Sequence, residues 1–495
     1  MNRRTSAWVA THAPTGTRWG QKVLSLLLSL ALCLTLLPGA ALADDTGSGT
    51  TAPSSKPLTQ EILKENVHKK DEEDGKYTND GIYLPAGSYY LEDDISLLVD
   101  ENSAYPLIIS GAEVTLDLRG HVLDLKGQYI DVSRRYENGY LGNTLTLTDS
   151  NPENLTHQFR VEDSGLWVLD EASGAKTVTG GVITGGKKSG VWIQTNSTFN
   201  MNGGSIVGCT TVSGSEYSNS EKNGGGVYSQ GTFTMESGSR IEGCTAARYG
   251  GGVYVSDGTT FIMNGGRIEG CTAAQRGGGV YVESGDKQTA FTMNGGSIEG
   301  CTADENGGGV YNNGERSRFT MSGGSIMGCT AANGGGVYSS GAFTMESGSR
   351  IEDCTADENG GGVYASSLNA QFNGGTISGC SAANGGGVYN SLNFTMEGGS
   401  IERCTAAQAG GGVYIDNDKF STGNFTMDGG SISNCKANGA DNSVHADGTF
   451  TDNNNQKIDK SLLTGINAGD AGTSDDPIRI ASVAGLENFR NIICS

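Results

Sequence analysis

Apolar residues in the second half of this chain recur at every second position rather than every third or fourth. Phe233-Thr234-Met235, Phe261-Ile262-Met263 and Phe291-Thr292-Met293 put two large side chains on one face with a smaller residue between them. Ser297-Ile298-Glu299 does the same around a single Ile. This alternation predicts short strands with one face buried. Paired glycines (Gly265-Gly266, Gly295-Gly296) and glycine triplets separate the strands and predict turns at fixed points. Each unit thus holds about three short strands and three corners, with almost no helix-forming stretch.

The unit recurs. Eight copies of Gly-Gly-Gly-Val-Tyr run through the chain, each followed by Phe-x-Met-x-Gly-Gly-x-Ile-x-x-Cys or a close variant. The cysteines mark the period: Cys209, Cys244, Cys271, Cys301, Cys329, Cys354, Cys380, Cys404 and Cys435, spaced 24 to 35 residues apart. Self-similarity at that interval signals stacked repeats. Three strands closing one loop, laid on the next loop, make a parallel β-helix. Stacking is a necessity. The four inward residues of one unit (Val280, Phe291, Met293, Ile298) gain roughly 1.5–3 kcal/mol each on burial. Ordering some 25–30 residues costs about 1–2 kcal/mol per residue. One coil cannot stand alone, so coil-on-coil pairing must supply the rest. At about 4.8 Å per layer, the eight steps from Cys209 to Cys435 span roughly 40 Å.

Parity orients the Gly-Gly-Gly-Val-Tyr strand. Two beyond each Tyr the residue is always polar or acidic: Gln230, Ser256, Glu283, Asn313, Ser340, Ser366, Ser391 and Asp416. Two beyond each Val the positions are mixed. Val is therefore expected inside and Tyr outside. Tyr228, Tyr254, Tyr281, Tyr311, Tyr338, Tyr364, Tyr389 and Tyr414 then line one flank, and they are the candidate ligand contacts, suited to sugar rings or protein partners. The competing reading is that Tyr–Tyr stacking simply strengthens neighbouring strands.

Outside the repeats the text changes. Residues 1–43 read as an export signal: Arg3, Arg4, Arg18 and Lys22 lead, Val23 to Leu37 is the apolar core, and Ala41-Leu42-Ala43 offers a cleavage site. Its apolar core falls short of the ~20 residues needed to span a bilayer. Residues 44–78 read as a linker with a short helix between Leu58 and Lys70. Residues 79–200 carry irregular coils and a cap, including Tyr89-Tyr90-Leu91, Val114 to His121 and Leu145 to Thr148. Residues 201–450 hold the regular coils, with Val191-Trp192 and Val444-His445 as degenerate first and last Val-Tyr elements. Residues 451–495 form an extension that reads as the opening of a further module. Removing the signal takes away four basic and no acidic residues, moving the formal charge from −22 to −26. That disfavours nucleic acid as a partner, because phosphate wants the opposite sign.

The Asn294-Gly295-Gly296-Ser297-Ile298 and Asn306-Gly307-Gly308-Gly309-Val310-Tyr311 repeats resemble those of bacterial adhesin-like right-handed β-helix surface proteins. Val114 to His121 resembles the entry segment of the wider pectate-lyase-like superfamily, and the Gly-Gly-x-Ile cadence is distantly similar to chlamydial polymorphic outer-membrane proteins. The resemblance covers residues 80–450 and implies a right-handed parallel β-helix, a fold that hosts enzymes and inert scaffolds alike.

Three constellations invite chemistry. The nine-Cys ladder reads as packed thiols, as disulfides between neighbouring coils given the exported context, or, less readily, as metal ligands. Glu242, Glu269, Glu299, Glu352 and Glu402 form a partial acidic row; a catalytic carboxylate pair would need two unlike environments. His121 has Asp117, Arg119 and Asp124 nearby, whereas His68, His157 and His445 stand apart. No Ser-His-Asp spacing, phosphate loop, HExxH or EF-hand appears, so no cofactor and no catalytic residue are assigned. The expectation is a secreted or cell-surface protein that binds glycans or host or bacterial surface proteins along a repeated face. The alternatives are a polysaccharide lyase or glycoside hydrolase sited in coils 80–200, and a structural stalk.

Overall fold

A computed structural model describes residues 55–68, 80–136, 139–163, 166–214, 218–417, 422–441 and 443–451. The stretches expected to be an export signal (1–43), most of the linker and nearly all of the C-terminal extension lie outside the described residues. The chain winds as a right-handed parallel β-helix whose strands stack into two sheets of fourteen, one of twelve and one of nine. The Phe sheet carries strands such as Thr260–Met263 and Thr289–Met293. The Tyr sheet carries Val253–Val255 and Val280–Val282. The Ile sheet carries Arg267–Glu269 and Ser297–Glu299. The fourth is a correction to the three-strand expectation. From Thr245–Ala246 onward, a further short strand pairs with its neighbour in the next coil, two residues long at Thr272–Ala273 and Thr302–Ala303 and five at Thr355–Asn359 and Thr405–Ala409. Its small and polar residues carry no alternation of large apolar side chains, so this strand emerges only from pairing between coils.

Register is direct. Phe261 faces Phe291, Val253 faces Val280, and Ile268 faces Ile298, so like residues form columns along the axis. Interior Phe, Met, Ile, Val and Cys are all buried. The Phe rings stack at centroid separations of 4.6–5.5 Å from Phe199 to Phe343. One coil exchanges the order: Ala370 takes the Phe position and Phe372 the Met position, which keeps one large side chain in that layer.

Each member of the glycine triplet has its own cause. Gly277 sits at φ +69, a backbone region that side chains disfavour. A Cβ on Gly278 would overlap carbonyl oxygens of Thr302 and Gly308 in the next coil. A Cβ on Gly279 would lie 2.7 Å from both the Gly309 oxygen and Ile298 Cγ2, and 3.4 Å from Cys301 Sγ. The triplet is therefore a consequence of coil spacing as much as of turning.

The N-terminal end is closed by a short helix, Gln60–Glu65, within the 58–70 stretch where one was expected but shorter. Thr59 caps it, accepting the Ile62 N–H at 3.3 Å, and Leu58 and Leu63 are buried at the head of the column. Val67–His68 then pairs antiparallel with Gly81–Leu84. A second departure interrupts the early coils. Thr156–Val161, Trp167–Leu169 and Lys176–Thr179 form a three-stranded antiparallel sheet. Its Phe159, Trp167 and Val178 pack on Val122, Val182 and Val207, which point outward from the Ile sheet.

Candidate functional site

Val and Tyr take the sides that parity predicts: Val227, Val253 and Val280 join the interior cluster, while the tyrosines form a separate cluster on the opposite face of the same strands. The rings stack from Trp192 through every Tyr to His445 at centroid separations of 4.4–5.2 Å. Outward does not mean exposed, however. Tyr228, Tyr254, Tyr281, Tyr311 and Tyr389 are buried, and Tyr338, Tyr364 and Tyr414 are half-buried. Each ring is covered by its neighbours one coil away. Tyr249 adds a second layer over Tyr281 at 4.5 Å, and Arg276 lies over Tyr311. The flank of outward tyrosines is thereby corrected from an exposed row to a largely buried stack.

The stack explains the polar residue two beyond each Tyr. Tyr254 is partnered by Glu283, Tyr228 by Ser256, Tyr311 by Ser340 and Tyr389 by Asp416, in each case from the next coil. Tyr414 Oη donates to Asp447. Burial first, and the nearby Glu283 carboxylate second, push the Tyr228 phenol up to about 12. The same two causes hold Tyr254 higher still.

The nine ladder cysteines are free thiols, all buried. Cys271 Sγ lies 3.6 Å from the Ile241 carbonyl oxygen of the preceding coil and 3.5 Å from that of Glu269. Burial pushes the thiols of Cys244, Cys271, Cys301, Cys329 and Cys354 well above the ordinary value, which suits inert packing. Among the described residues no group of three or more His, Cys, Asp or Glu is placed to hold a metal ion.

The acidic row is tied to arginines. Arg267 Nη1 meets Glu269 at 2.8 Å and Glu299 at 3.8 Å, Arg350 meets Glu352 at 3.4 Å, and Arg403 meets Glu402 at 2.6 Å. Glu242 is the buried member, and desolvation raises its pKa. The constellation does not assemble around His121, although Arg119 Nε reaches Asp117 at 3.5 Å. His121 Nδ1 is 3.4 Å from Asp94, Asp117 also accepts from Ser150 and the Arg119 backbone N–H, Arg119 lies over the Tyr90 ring, and Asp124 pairs with Lys126. His157 is fastened between Glu171 and the Gly120 carbonyl, and His445 closes the aromatic stack.

What the sequence reading passed over is the residue between Phe and Met. Once the strands are in register, these residues form one outward column on the Phe sheet: Ser88, Thr115, Thr146, Asn200, Thr234, Ile262, Thr292, Thr320, Thr344, Gln371, Thr395, Thr426 and Thr451. None of the thirteen is charged, on a chain of net charge −22. Most are half-buried, Gln371 is exposed and Thr451 is buried.

Comparison with protein-family models, curated proteins and solved structures gives no match. The adhesin-like and chlamydial resemblance therefore stands on the repeat residues alone.

Proposed function

We propose that this chain is an exported binding and display protein that presents the threonine column of its Phe sheet to an extended, neutral polymer, a glycan lying along the solenoid axis. The observation that carries the reading is the uncharged column, in register over thirteen rungs, on an otherwise acidic protein. Repeated hydroxyls at one strand spacing, about 4.8 Å, give many weak and equivalent hydrogen bonds. Multivalence turns such contacts into useful affinity. A single column favours a linear ligand over a two-dimensional one. Beside it the next outward position changes from Thr232 and Thr260 to Ala290, Arg318 and Ala342. The lyase or hydrolase reading would need an accessible carboxylate pair in unlike environments; Glu242 and Glu269 differ in environment, but Glu242 is 5% exposed and Glu269 is held by Arg267.

Glycan-array and polysaccharide pull-down binding test the reading. Thr292, Thr320 and Thr344 changed together to Glu should abolish retention of neutral glycans, because desolvated carboxylates would replace the hydroxyls. The same three changed to Ser should retain most of it. Binding that survives the Glu triple would sink the threonine column as the binding face, and no binding by the parent protein would leave the stalk reading ahead.

A further inference from the structure

The antiparallel sheet over residues 156–179 is fastened to the early coils by apolar packing and by two ionisable contacts. Phe159, Trp167 and Val178 rest on Val122, Val182 and Val207, a contact that pH leaves alone. The first ionisable contact is His157, buried on the central strand Thr156–Val161. Its Nδ1 lies 3.1 Å from Glu171 Oε1 within the insertion, and its Nε2 lies 2.8 Å from the Gly120 carbonyl oxygen of the column. Both acceptors are themselves held. Glu171 also accepts the Gln158 N–H at 3.2 Å, and Asp149 accepts the Gly120 N–H at 2.7 Å. The charges flanking Gly120 are engaged elsewhere, Arg119 with Asp117 and His121 with Asp94. A neutral imidazole has one N–H and satisfies one of the two acceptors on His157; the imidazolium has two and satisfies both.

The second ionisable contact is Glu242. It stands in register with Val207, one coil beyond it in the same outward column, so the valine floor of the sheet ends on a carboxyl group. Glu242 is buried, and a Cβ on the adjoining Gly243 would overlap the Trp167 ring. Burial raises its pKa; Arg240, Arg267 and Lys176 of the inserted sheet pull the other way, and Glu269 adds to the rise. Taking water from a carboxylate favours its acid form. Both contacts are therefore completed by a proton, one on an imidazole and one on a carboxylate.

We propose that the 156–179 sheet is an acid-latched cover, docked on the column while His157 donates from both ring nitrogens and released as pH rises, baring Val122, Val182 and Val207. The two signs agree. Protonated His157 finds two acceptors only in the docked state, so docking gains in acid and loses that gain when the ring gives up its second proton. Ionised Glu242 has to shed water beneath the sheet, a cost that appears as pH climbs through its raised, covered value. The valine packing persists at every pH and sets how far the cover opens. Coils from Val253 onward carry neither contact and stay closed. The latch is a property of the early coils and does not depend on the threonine column.

Hydrogen exchange of the intact protein tests the latch, read as protection factors so that the intrinsic pH dependence of exchange is removed. Between about pH 5 and about pH 8.5, amides of 157–161 and 176–179 should lose roughly tenfold or more in protection, while 253–282 changes by less than about twofold. His157→Gln does not titrate, so it should lower protection of the sheet in acid and flatten the profile. Glu242→Gln removes the charge that burial penalises and should raise protection at the alkaline end. Opposite shifts from the two substitutions separate a latch from a merely structural contact, whose loss would weaken the sheet equally at every pH. A parent profile without pH dependence, an equal fall in 253–282, or a profile that neither substitution alters overturns the proposal.

Discussion

The coils between residues 80 and 200 and those between 201 and 450 share an interior but differ outside. Inward positions of the Ile sheet run from Leu123 through Ile183, Ile206 and Ile241 without a break, all buried. The two outward positions of the same strands begin as Val122 and Asp124, Val182 and Thr184, then pass through Ser205 and Val207 to Arg240 and Glu242, Arg267 and Glu269. The valines require a cover, which the antiparallel sheet bearing Trp167 provides. The largely half-exposed Arg–Glu pairs need none, and each contributes at most about 1 kcal/mol. What points inward determines the winding. What points outward determines whether a coil is covered by chain, stays in water, or takes a partner.

The sharpest way to break this comparison is to crowd the same rung in both regions. A Cβ on Gly190 would sit 2.7 Å from Ile206 Cγ2 and 2.9 Å from the Gly226 oxygen, matching the environment of Gly279. Gly190→Val and Gly279→Val should each lose more than about 3 kcal/mol in chemical denaturation, since backbone blocks relaxation. Tolerance at 190 alone would show that the two interiors are not one. A more local effect, about 3–5 kcal/mol confined to the docked sheet, is expected from Trp167→Ala. Hydrogen exchange should then lose protection at 156–179 and keep it at 227–415. Loss across both would mean that the cover and the column unfold together.

The smallest effect per residue concerns alkali. The folded-state phenols of Tyr228, Tyr254 and Tyr281 and the thiols of Cys244, Cys271, Cys301, Cys329 and Cys354 are held neutral by burial, above their unfolded values. Their contribution is intact below the unfolded pKa, near 8.5 for Cys and 10 for Tyr, and is lost as pH rises through the folded value. Tyr228, moved from 10.0 to about 12, accounts for at most on the order of 3 kcal/mol of that loss. The denaturation midpoint should fall above pH 10, with proteolytic cleavage beginning in 227–415 before 107–147. Cleavage starting in the early coils would place the weak point elsewhere.

Much of this was legible in the residues. The polar position after each Tyr oriented the Val-Tyr strand correctly, and Val191-Trp192 and Val444-His445 do pair as end members of that column. The burial of the tyrosines was not legible. It comes from rings one coil away and from Tyr249 and Arg276, which no period within a strand reveals. The threonine column was visible only as a small residue between two large ones until register aligned its members. Trp167 reaches Gly243 across 76 positions of chain, and nothing near either residue announces the other.

The amino-acid order alone determined the period-two alternation, the turn positions and the need to stack. Those follow from the backbone preferences of glycine and from which side of a pleat a residue takes, both local properties. Only the tertiary structure decided which outward residues meet water, because a side chain's cover is supplied from a neighbouring coil or from an inserted sheet, at distances along the chain that vary from coil to coil.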